Sequence, residues 1–543
     1  MRKRRKLALS IALTLFNHHA FANPLAALDD GLLGLYPAGS LEISTGQCKD
    51  CATIPQARWY FEKELIATPK KGMPIAGFSG EAFHLKELAN KQDSNVSPPL
   101  IWLGSPYVVP NTRLNNNGTM MEEASGLSSA FFIIDKIPTN LSYWNHSTLD
   151  FFKQRDVRLR GELTDKGFTA RTVWPLDFKI DTNAKLNPLN NHESLKSMVQ
   201  FENGGAKSAY ESRLLWEKAP GASKQAAGKA VLAFMLNGAQ GDDDEAHGGH
   251  FAVVTGRMEA DGNYSRWLVN NYYNLASNSE KGIIAGITPM DKYLADLNSG
   301  QSFYRPSYML VAVLKSDKIP LQFQTTTNRI YNHFYRNDFV YDHSRNNCAG
   351  VSIDTLRALG WNIPMRGVES QMKAIAAYLY VAATELSLKK GRAIYDYLNT
   401  ETTRLFPAVT FDAVGESLLS GANQWSRKLY VDHNPTSPFM QQIGNDIEAI
   451  YFVRIPQIPS SRAFGLAPVY SFDQYMQQAP ADHNQWKIVP TTPNPLPEAL
   501  KDGPALTLKT PCLMPLPVGF LLLLMIGGIT YIIRKLLKRP ARN

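Results

Sequence analysis

Two stretches of sequence decide the fold: HGGHFAVVTG, residues 247–256, and NNCAGVSIDTLRALGW, residues 346–361. The second stretch predicts a helix over residues 348–360, because four of its residues recur at helical spacing and Gly360 suits the helix end: Val351, Thr355, Leu356 and Leu359. From the first stretch onward, residues 251–273 predict a β-hairpin, which is made of FAVVTGRM, the turn ADGN and YSRWLVNNYY. The pattern therefore places His250 at the start of a strand and Cys348 at the start of a helix.

Cys348 is the candidate nucleophile. A thiol attacks only as the thiolate, and the free N–H groups and aligned dipoles of a helix N-terminus favour that state. The same N–H groups can stabilise the oxyanion that forms when a thiolate attacks a carbonyl. We therefore predict nucleophilic chemistry at this position.

His250 is the candidate general base, and a polar side chain on the neighbouring strand is expected to orient its ring. A two-residue turn at Asp261 and Gly262 places Asn271 on the His250 face, whereas a three-residue loop places Asn270 there. Both asparagines remain candidates at this point.

A His opening a strand, an amide on the next strand and a later Asn-Cys opening a helix together resemble the circularly permuted NlpC/P60 branch of the papain-like fold. Relatives of lecithin retinol acyltransferase and PPPDE proteins belong to that group. The resemblance covers residues 224–365, with the strand near 447–455, and implies a thiol hydrolase or acyltransferase acting on amide or ester bonds. This chain departs from the family pattern in the long spacing, with Cys348 98 residues after His250, in its amide at the third position, and in a helical segment at 368–430.

Three rival interpretations compete with this one. In the first, Cys348 is a small buried apolar residue and His250 is a loop histidine without a catalytic role. In the second, His343 is the base, although a histidine so close before the helix is expected to lie beyond the thiol and not across from it. The third interpretation is a metal site formed by Asp242, Asp243, Asp244, Glu245, His247 and His250. Their spacing fits neither a HExxH motif nor an EF-hand, so we expect no metal and no cofactor.

The chain ends predict export and membrane attachment. Residues 1–22 have a basic start, an apolar run and an Ala-x-Ala cleavage pattern, as in a signal peptide. Residues 516–533 are uncharged and mainly apolar, and a basic tail at 534–543 follows them, which predicts a transmembrane helix with the tail in the cytoplasm. The same end also resembles a sorting signal that is cut after export.

The net charge of +9 comes from those two ends, which carry ten basic residues, so the intervening body is close to neutral and no nucleic-acid partner is expected.

Cys48 and Cys51 are predicted to form a local disulfide in an oxidising compartment, and Cys512 is unassigned. Residues 224–236 (KQAAGKAVLAFML) are predicted to be helical, as are residues 368–400.

We therefore predict an α+β protein. A β-rich N-terminal domain at 23–215 precedes a permuted papain-like core with a helical addition at 216–488, and a Pro-rich stalk at 489–515 leads to the transmembrane helix. The expected location is the inner membrane, with a single span and the bulk of the chain in the periplasm. The expected partner is a cell-envelope substrate, either peptidoglycan peptides or acylated lipids and lipoproteins, and the alternative is a non-catalytic envelope scaffold.

Overall fold

The computed structural model describes residues 33–37, 55–56, 65–69, 73–74, 82–83, 101–105, 107–114, 129–131, 146–164, 167–199, 209–238, 249–273, 286–297, 300–303, 305–335, 341, 347–367, 370–427, 437–459 and 489–490. Within these ranges the strands are β1 (Leu33–Pro37), β2 (Pro55–Gln56), β3 (Leu65–Pro69), β4 (Met73–Pro74), β5 (Ala82–Phe83), β6 (Ile101–Gly104), β7 (Tyr107–Thr112), β8 (Ser129–Phe131), β9 (Val157–Thr164), β10 (Gly167–Pro175), β11 (Glu211–Glu217), β12 (Ala230–Asn237), β13 (His250–Arg257), β14 (Leu268–Asn271), β15 (Gly286–Pro289), β16 (Ser307–Leu314), β17 (Ile447–Ile455) and β18 (Val489–Pro490). The helices are α1 (His146–Phe152), α2 (Leu195–Met198), α3 (Met290–Ala295), α4 (Lys318–Tyr335), α5 (Cys348–Ala358), α6 (Gln371–Thr384), α7 (Leu388–Leu398), α8 (Thr402–Leu405), α9 (Pro407–Arg427) and α10 (Pro438–Asp446).

One large mixed sheet organises the described residues. Its ten strands run in the order β1-β3-β6-β15-β14-β13-β12-β16-β17-β11. Neighbours pair antiparallel except β15 and β6, which are parallel. Four strands from the N-terminal part of the chain, β1, β3, β6 and β11, thus share a sheet with the strands that carry His250 and Asn271. Four further N-terminal strands form a second sheet in the order β7-β9-β10-β8, and two small sheets pair β2 with β18 and β4 with β5.

The centre of the large sheet is buried on both faces. On one face, Ala252, Val254 and the apolar side chains of β12 pack against Trp174 and Trp267. On the other face, Phe234 of β12 meets the ring of Trp361 edge to face at 5.3 Å. Fully burying a large apolar side chain stabilises the fold by about 1.5–3 kcal/mol, so packing on both faces of the sheet contributes to its stability.

The predicted helix at 224–236 is wrong. A single 3-10 turn covers Ser223–Gln225, and residues 230–237 form the central strand β12, which pairs with β13 and β16 and is buried along its whole length. A strand covered on both faces loses the alternation of apolar and polar residues, so a short apolar run cannot be distinguished from a buried helix by its periodicity. The predicted helix at 348–360, the hairpin of β13 with β14 and the helical character of 371–398 are confirmed.

The chain divides into two compact units. One comprises residues 1–369 and 400–506, and the other comprises residues 370–399 and 507–543. The large sheet belongs to the first unit. In the second unit the described part is the helical hairpin of α6 and α7, in which the rings of Tyr378 and Tyr395 meet edge to face at 6.4 Å.

The described residues form an α+β fold, as predicted. The prediction that the fold ends in a transmembrane helix is wrong. No helix in the described ranges has both the length and the apolar character needed to cross a bilayer. The stretch to which the span was assigned, 516–533, lies outside those ranges, as do the predicted signal peptide, the tail at 534–543, nearly all of the predicted stalk and the cysteines at 48, 51 and 512.

Gly262 lies in the connection between β13 and β14, where the backbone closely approaches the segment that contains Ile180. Its φ is +78°, and a Cβ added there would lie 1.9 Å from the carbonyl oxygen of Ile180. Gly221 has a similar φ of +81° with nothing within 4 Å of such a Cβ. Gly262→Ala is therefore expected to lower the free energy of unfolding by roughly 1–3 kcal/mol more than Gly221→Ala does in denaturant titrations. Equal losses in the two variants would mean that the close approach to Ile180 costs nothing.

Candidate active site

The first turn of α5 fixes the position of Cys348. Asn347 is the N-cap: its side-chain oxygen accepts a hydrogen bond from the N–H of Gly350 at 2.8 Å, and its amide nitrogen donates to the carbonyl of Leu405 at 2.8 Å. The hydroxyl of Ser352 donates to the carbonyl of Cys348 at 2.7 Å. An asparagine cap of this kind satisfies one of the free N–H groups and leaves the remaining ones directed at the start of the helix.

Four groups surround the thiol of Cys348, which is buried. Burial raises the pKa of the Cys348 thiol, while hydrogen bonds from the N–H of Phe251, the hydroxyl of Tyr341 and the N–H of Ala349, and the charge of Arg305, act against that rise. The backbone N–H of Cys348 itself donates to the Tyr341 hydroxyl at 3.4 Å. The net shift is upward, so the resting thiol is protonated at neutral pH and needs a base to become a nucleophile.

His250 is held at the first position of β13. The strand pairs with β12 up to the last pair, which joins Asn237 to His250. Just before it, Gly249 has a φ of +85°, and a Cβ there would lie 2.4 Å from the carbonyl oxygen of Gly238. The glycine before His250 is therefore required by the close approach of two chain segments.

Asn271 is the asparagine that contacts His250. The register pairs Val253 with Asn270, so Asn271 falls opposite Ala252 and lies on the His250 face of the sheet. The Nε2 atom of His250 and the Oδ1 atom of Asn271 form a buried hydrogen bond. Because an amide oxygen can only accept, this bond assigns the proton to Nε2 and leaves Nδ1 as the basic nitrogen.

Asn270 lies on the opposite face and has a packing role. Its amide nitrogen donates to the carbonyl of Val253 at 3.1 Å, and its oxygen accepts from Nε2 of Gln324 in α4 at 2.9 Å. Residues 258–267 connect β13 to β14, so neither of the short turns predicted from sequence occurs. The choice between the two asparagines follows from the strand register.

The structure brings Cys348 to the beginning of β13, because the N–H that reaches its sulfur belongs to Phe251, the residue after His250. The ring of Tyr273 stands 6.1 Å from that of His250 and 5.9 Å from that of Tyr341. The predicted nucleophile, the predicted base and one predicted orienting residue therefore occupy one region of the fold.

Arg305 is the neighbour of the thiol that sequence reasoning missed. It is buried, and its Nε and Nη2 atoms donate to Oε1 of Gln301 at 2.9 and 2.6 Å. It precedes β16 without a recognisable motif, so only the three-dimensional fold places it near Cys348.

In the described ranges, no three His, Cys, Asp or Glu side chains are grouped as a metal site would require. The acidic run at 242–245, His247 and the rival base His343 lie outside those ranges. No family model, no curated protein and no solved structure matches this chain. The side chains themselves therefore carry the argument about function.

The two asparagines are expected to respond differently to truncation. Asn271→Ala removes the acceptor that fixes the His250 tautomer, and we expect alkylation of Cys348 by iodoacetamide to slow by about 10- to 100-fold, part of the effect of a general base. Asn270→Ala removes one buried hydrogen-bond partner of Gln324, which keeps its bonds to Thr255 and Asn328. We expect a loss of about 1–3 kcal/mol in the free energy of unfolding with little change in alkylation. The reverse pattern would exclude Asn271 as the orienting residue.

Proposed function

We propose that this protein is a cysteine-dependent hydrolase or acyltransferase that acts on amide or ester bonds. Cys348 is the nucleophile, His250 is the general base and Asn271 orients the imidazole. The observation that carries this proposal is the hydrogen bond between Nε2 of His250 and Oδ1 of Asn271. His250 begins the strand on which the next residue, Phe251, donates its N–H to the thiol at the start of α5.

The reaction has two steps. The sulfur of Cys348 attacks the substrate carbonyl while its proton passes to Nδ1 of His250, and the oxyanion is stabilised by N–H groups at the start of α5. Collapse of the tetrahedral intermediate expels the amine or alcohol, which takes the proton from His250, and a thioester remains on Cys348. Water or an amine then attacks the thioester while His250 accepts the proton of that acceptor. The carbon–sulfur bond breaks, the acid or amide product leaves, and the sulfur takes the proton from His250, which restores the thiol.

The signal-like residues 1–22 support substrates of the cell envelope. Peptidoglycan peptides and acylated lipids or lipoproteins both contain the required carbonyl chemistry. A neutral resting thiol suits either substrate, because proton transfer to His250 accompanies the attack and no preformed thiolate is needed.

The second candidate is a non-catalytic envelope scaffold, and one observation favours it. The Cys348 residue is only 4% exposed and burial raises the pKa of its thiol, as for a cysteine that serves as a small apolar side chain. In that case the site is a remnant that packs α5 against β13.

The test compares the purified full chain with its Cys348→Ala variant on muropeptides and on a diacylated lipoprotein, with product masses measured by mass spectrometry. We expect product from one substrate class and at least about a 10³-fold loss in the variant, the usual scale for removal of a catalytic nucleophile. Thr355→Ala, which removes an equivalent hydroxyl-to-carbonyl hydrogen bond further along α5, to Val351 and not to Cys348, is the matched control. Equal turnover by wild type and Cys348→Ala would leave the scaffold as the better account.

A further inference from the structure

The hairpin of α6 and α7 exposes an apolar surface that runs along one side of α6. Five residues at positions i, i+4, i+7, i+8 and i+11 lie on one face of the helix, and all are exposed and none is charged; we call them the apolar stripe: Met372, Ala376, Leu379, Tyr380 and Ala383. The exposed fractions of Met372 and Tyr380 are 76% and 70%. A surface helix of a soluble domain normally turns such a face inward, so this one is built to meet another phase or partner.

The turn between the two helices extends the same surface. Leu386 is 92% exposed with a φ of +48°, and Leu388 is 72% exposed. A left-handed conformation is strained for leucine and unstrained for glycine. The turn therefore keeps a large apolar side chain in solvent at a cost in backbone strain. Such strain is expected where the side chain itself contacts a ligand or another surface.

Two lysines directly follow the exposed leucines of the turn. The hairpin contains four cationic side chains and two carboxylates, and Lys389 and Lys390 directly follow Leu388; the full set is Lys373, Lys389, Lys390, Arg392, Glu385 and Asp396. The ion pair of Lys390 with Glu385, at 2.7 Å, is more than half exposed at Lys390 and lies at the solvent surface. An apolar tip beside lysines matches the headgroup and acyl boundary of a bilayer with anionic lipids.

We propose that the α6–α7 hairpin docks on a lipid surface containing anionic headgroups, with Leu386, Leu388 and the apolar stripe entering the interface and Lys389 and Lys390 contacting lipid phosphates. Tyrosine side chains suit the same depth, and Tyr380 belongs to the stripe. The lysines favour an anionic bilayer over a second copy of this chain, because two copies would bring their positively charged turns together and repel each other. The proposal is independent of the thiol chemistry.

The test is hydrogen–deuterium exchange of the full chain, measured on peptides covering residues 384–392, with and without vesicles. Vesicles of phosphatidylcholine with 30% phosphatidylglycerol are compared with vesicles of phosphatidylcholine alone, at about physiological ionic strength so that only charges close to the surface contribute. Because the readout is local, it separates the hairpin from any other contact of the chain with the vesicle. We expect protection of these peptides with the anionic vesicles.

The paired variants distinguish the apolar and ionic contributions. Leu386→Glu with Leu388→Glu is expected to weaken vesicle-dependent protection by about tenfold or more, and Lys389→Gln with Lys390→Gln to weaken it about tenfold on anionic vesicles only. Leu386→Ser with Leu388→Ser guards against misfolding of the turn. Leu186→Glu is the matched control, since Leu186 is a 48% exposed leucine outside the hairpin. Protection that is absent, that survives loss of both leucines, or that arises without vesicles at high protein concentration would overturn the proposal.

Discussion

Asp291→Ala is expected to lower the free energy of unfolding by about 3–5 kcal/mol, because it leaves two buried guanidinium groups without their carboxylate. Asp291 is fully buried; its Oδ2 atom accepts from Nη1 of Arg158 at 2.6 Å and from Nε of Arg160 at 3.0 Å. Burial already lowers the pKa of Arg158 to about 10, with Asp291 acting against that fall. Removing the carboxylate exposes the full cost of desolvation.

A surface pair provides the control for this prediction. Asp150 and Lys153 form an ion pair at 2.8 Å, with both side chains at least half exposed. Asp150→Ala is expected to cost less than about 1 kcal/mol. Chemical denaturation of both variants, followed by circular dichroism, measures the difference. If Asp291→Ala unfolds as the wild type does, the buried arginines are not held by this carboxylate.

His250→Ala is expected to reduce acylation of Cys348 by about 10²- to 10⁴-fold at neutral pH, the usual contribution of a general base. The raised pKa of the Cys348 thiol is the reason for so large an effect, since little thiolate exists without a base. The loss should shrink as the pH rises toward the thiol pKa, because hydroxide then generates the nucleophile directly.

The pH profile of the His250 variant is therefore diagnostic. Rates in His250→Ala should follow a single ionisation above the ordinary thiol pKa, because burial raises the pKa of the Cys348 thiol. The wild type, in which His250 takes the proton, should remain active well below that pH. Identical profiles for the two proteins would show that His250 does not take the proton.

The local elements of the site were predictable because they depend on neighbouring residues. The helix at Cys348 has a polar cap, apolar residues at helical spacing and a terminal glycine, and the strand at His250 follows a glycine pair. These signals need no knowledge of the rest of the chain. The positions of His250 and Cys348 in their elements follow directly from them.

The long-range features could not be read in this way. The choice of Asn271 over Asn270 depends on a register set by a ten-residue connection, and the strand β12 resembles a helix until the two layers that cover it are known. The proximity of Arg305 to the thiol, and the pairing of Asp291 with arginines more than a hundred residues away, are products of the sheet order. Such contacts have no local sequence signature.

The most direct test of the central claim is to trap the acyl-enzyme. The full chain is mixed with a p-nitrophenyl acyl ester for seconds, quenched in acid and mapped by peptide mass spectrometry, with His250→Ala and Cys348→Ser in parallel. The proposed mechanism predicts a thioester-linked acyl group on the peptide containing Cys348 in the wild type, and a signal about 10²-fold lower in His250→Ala. Equal acylation of Cys348 in wild type and His250→Ala, or acylation confined to other residues, would contradict it.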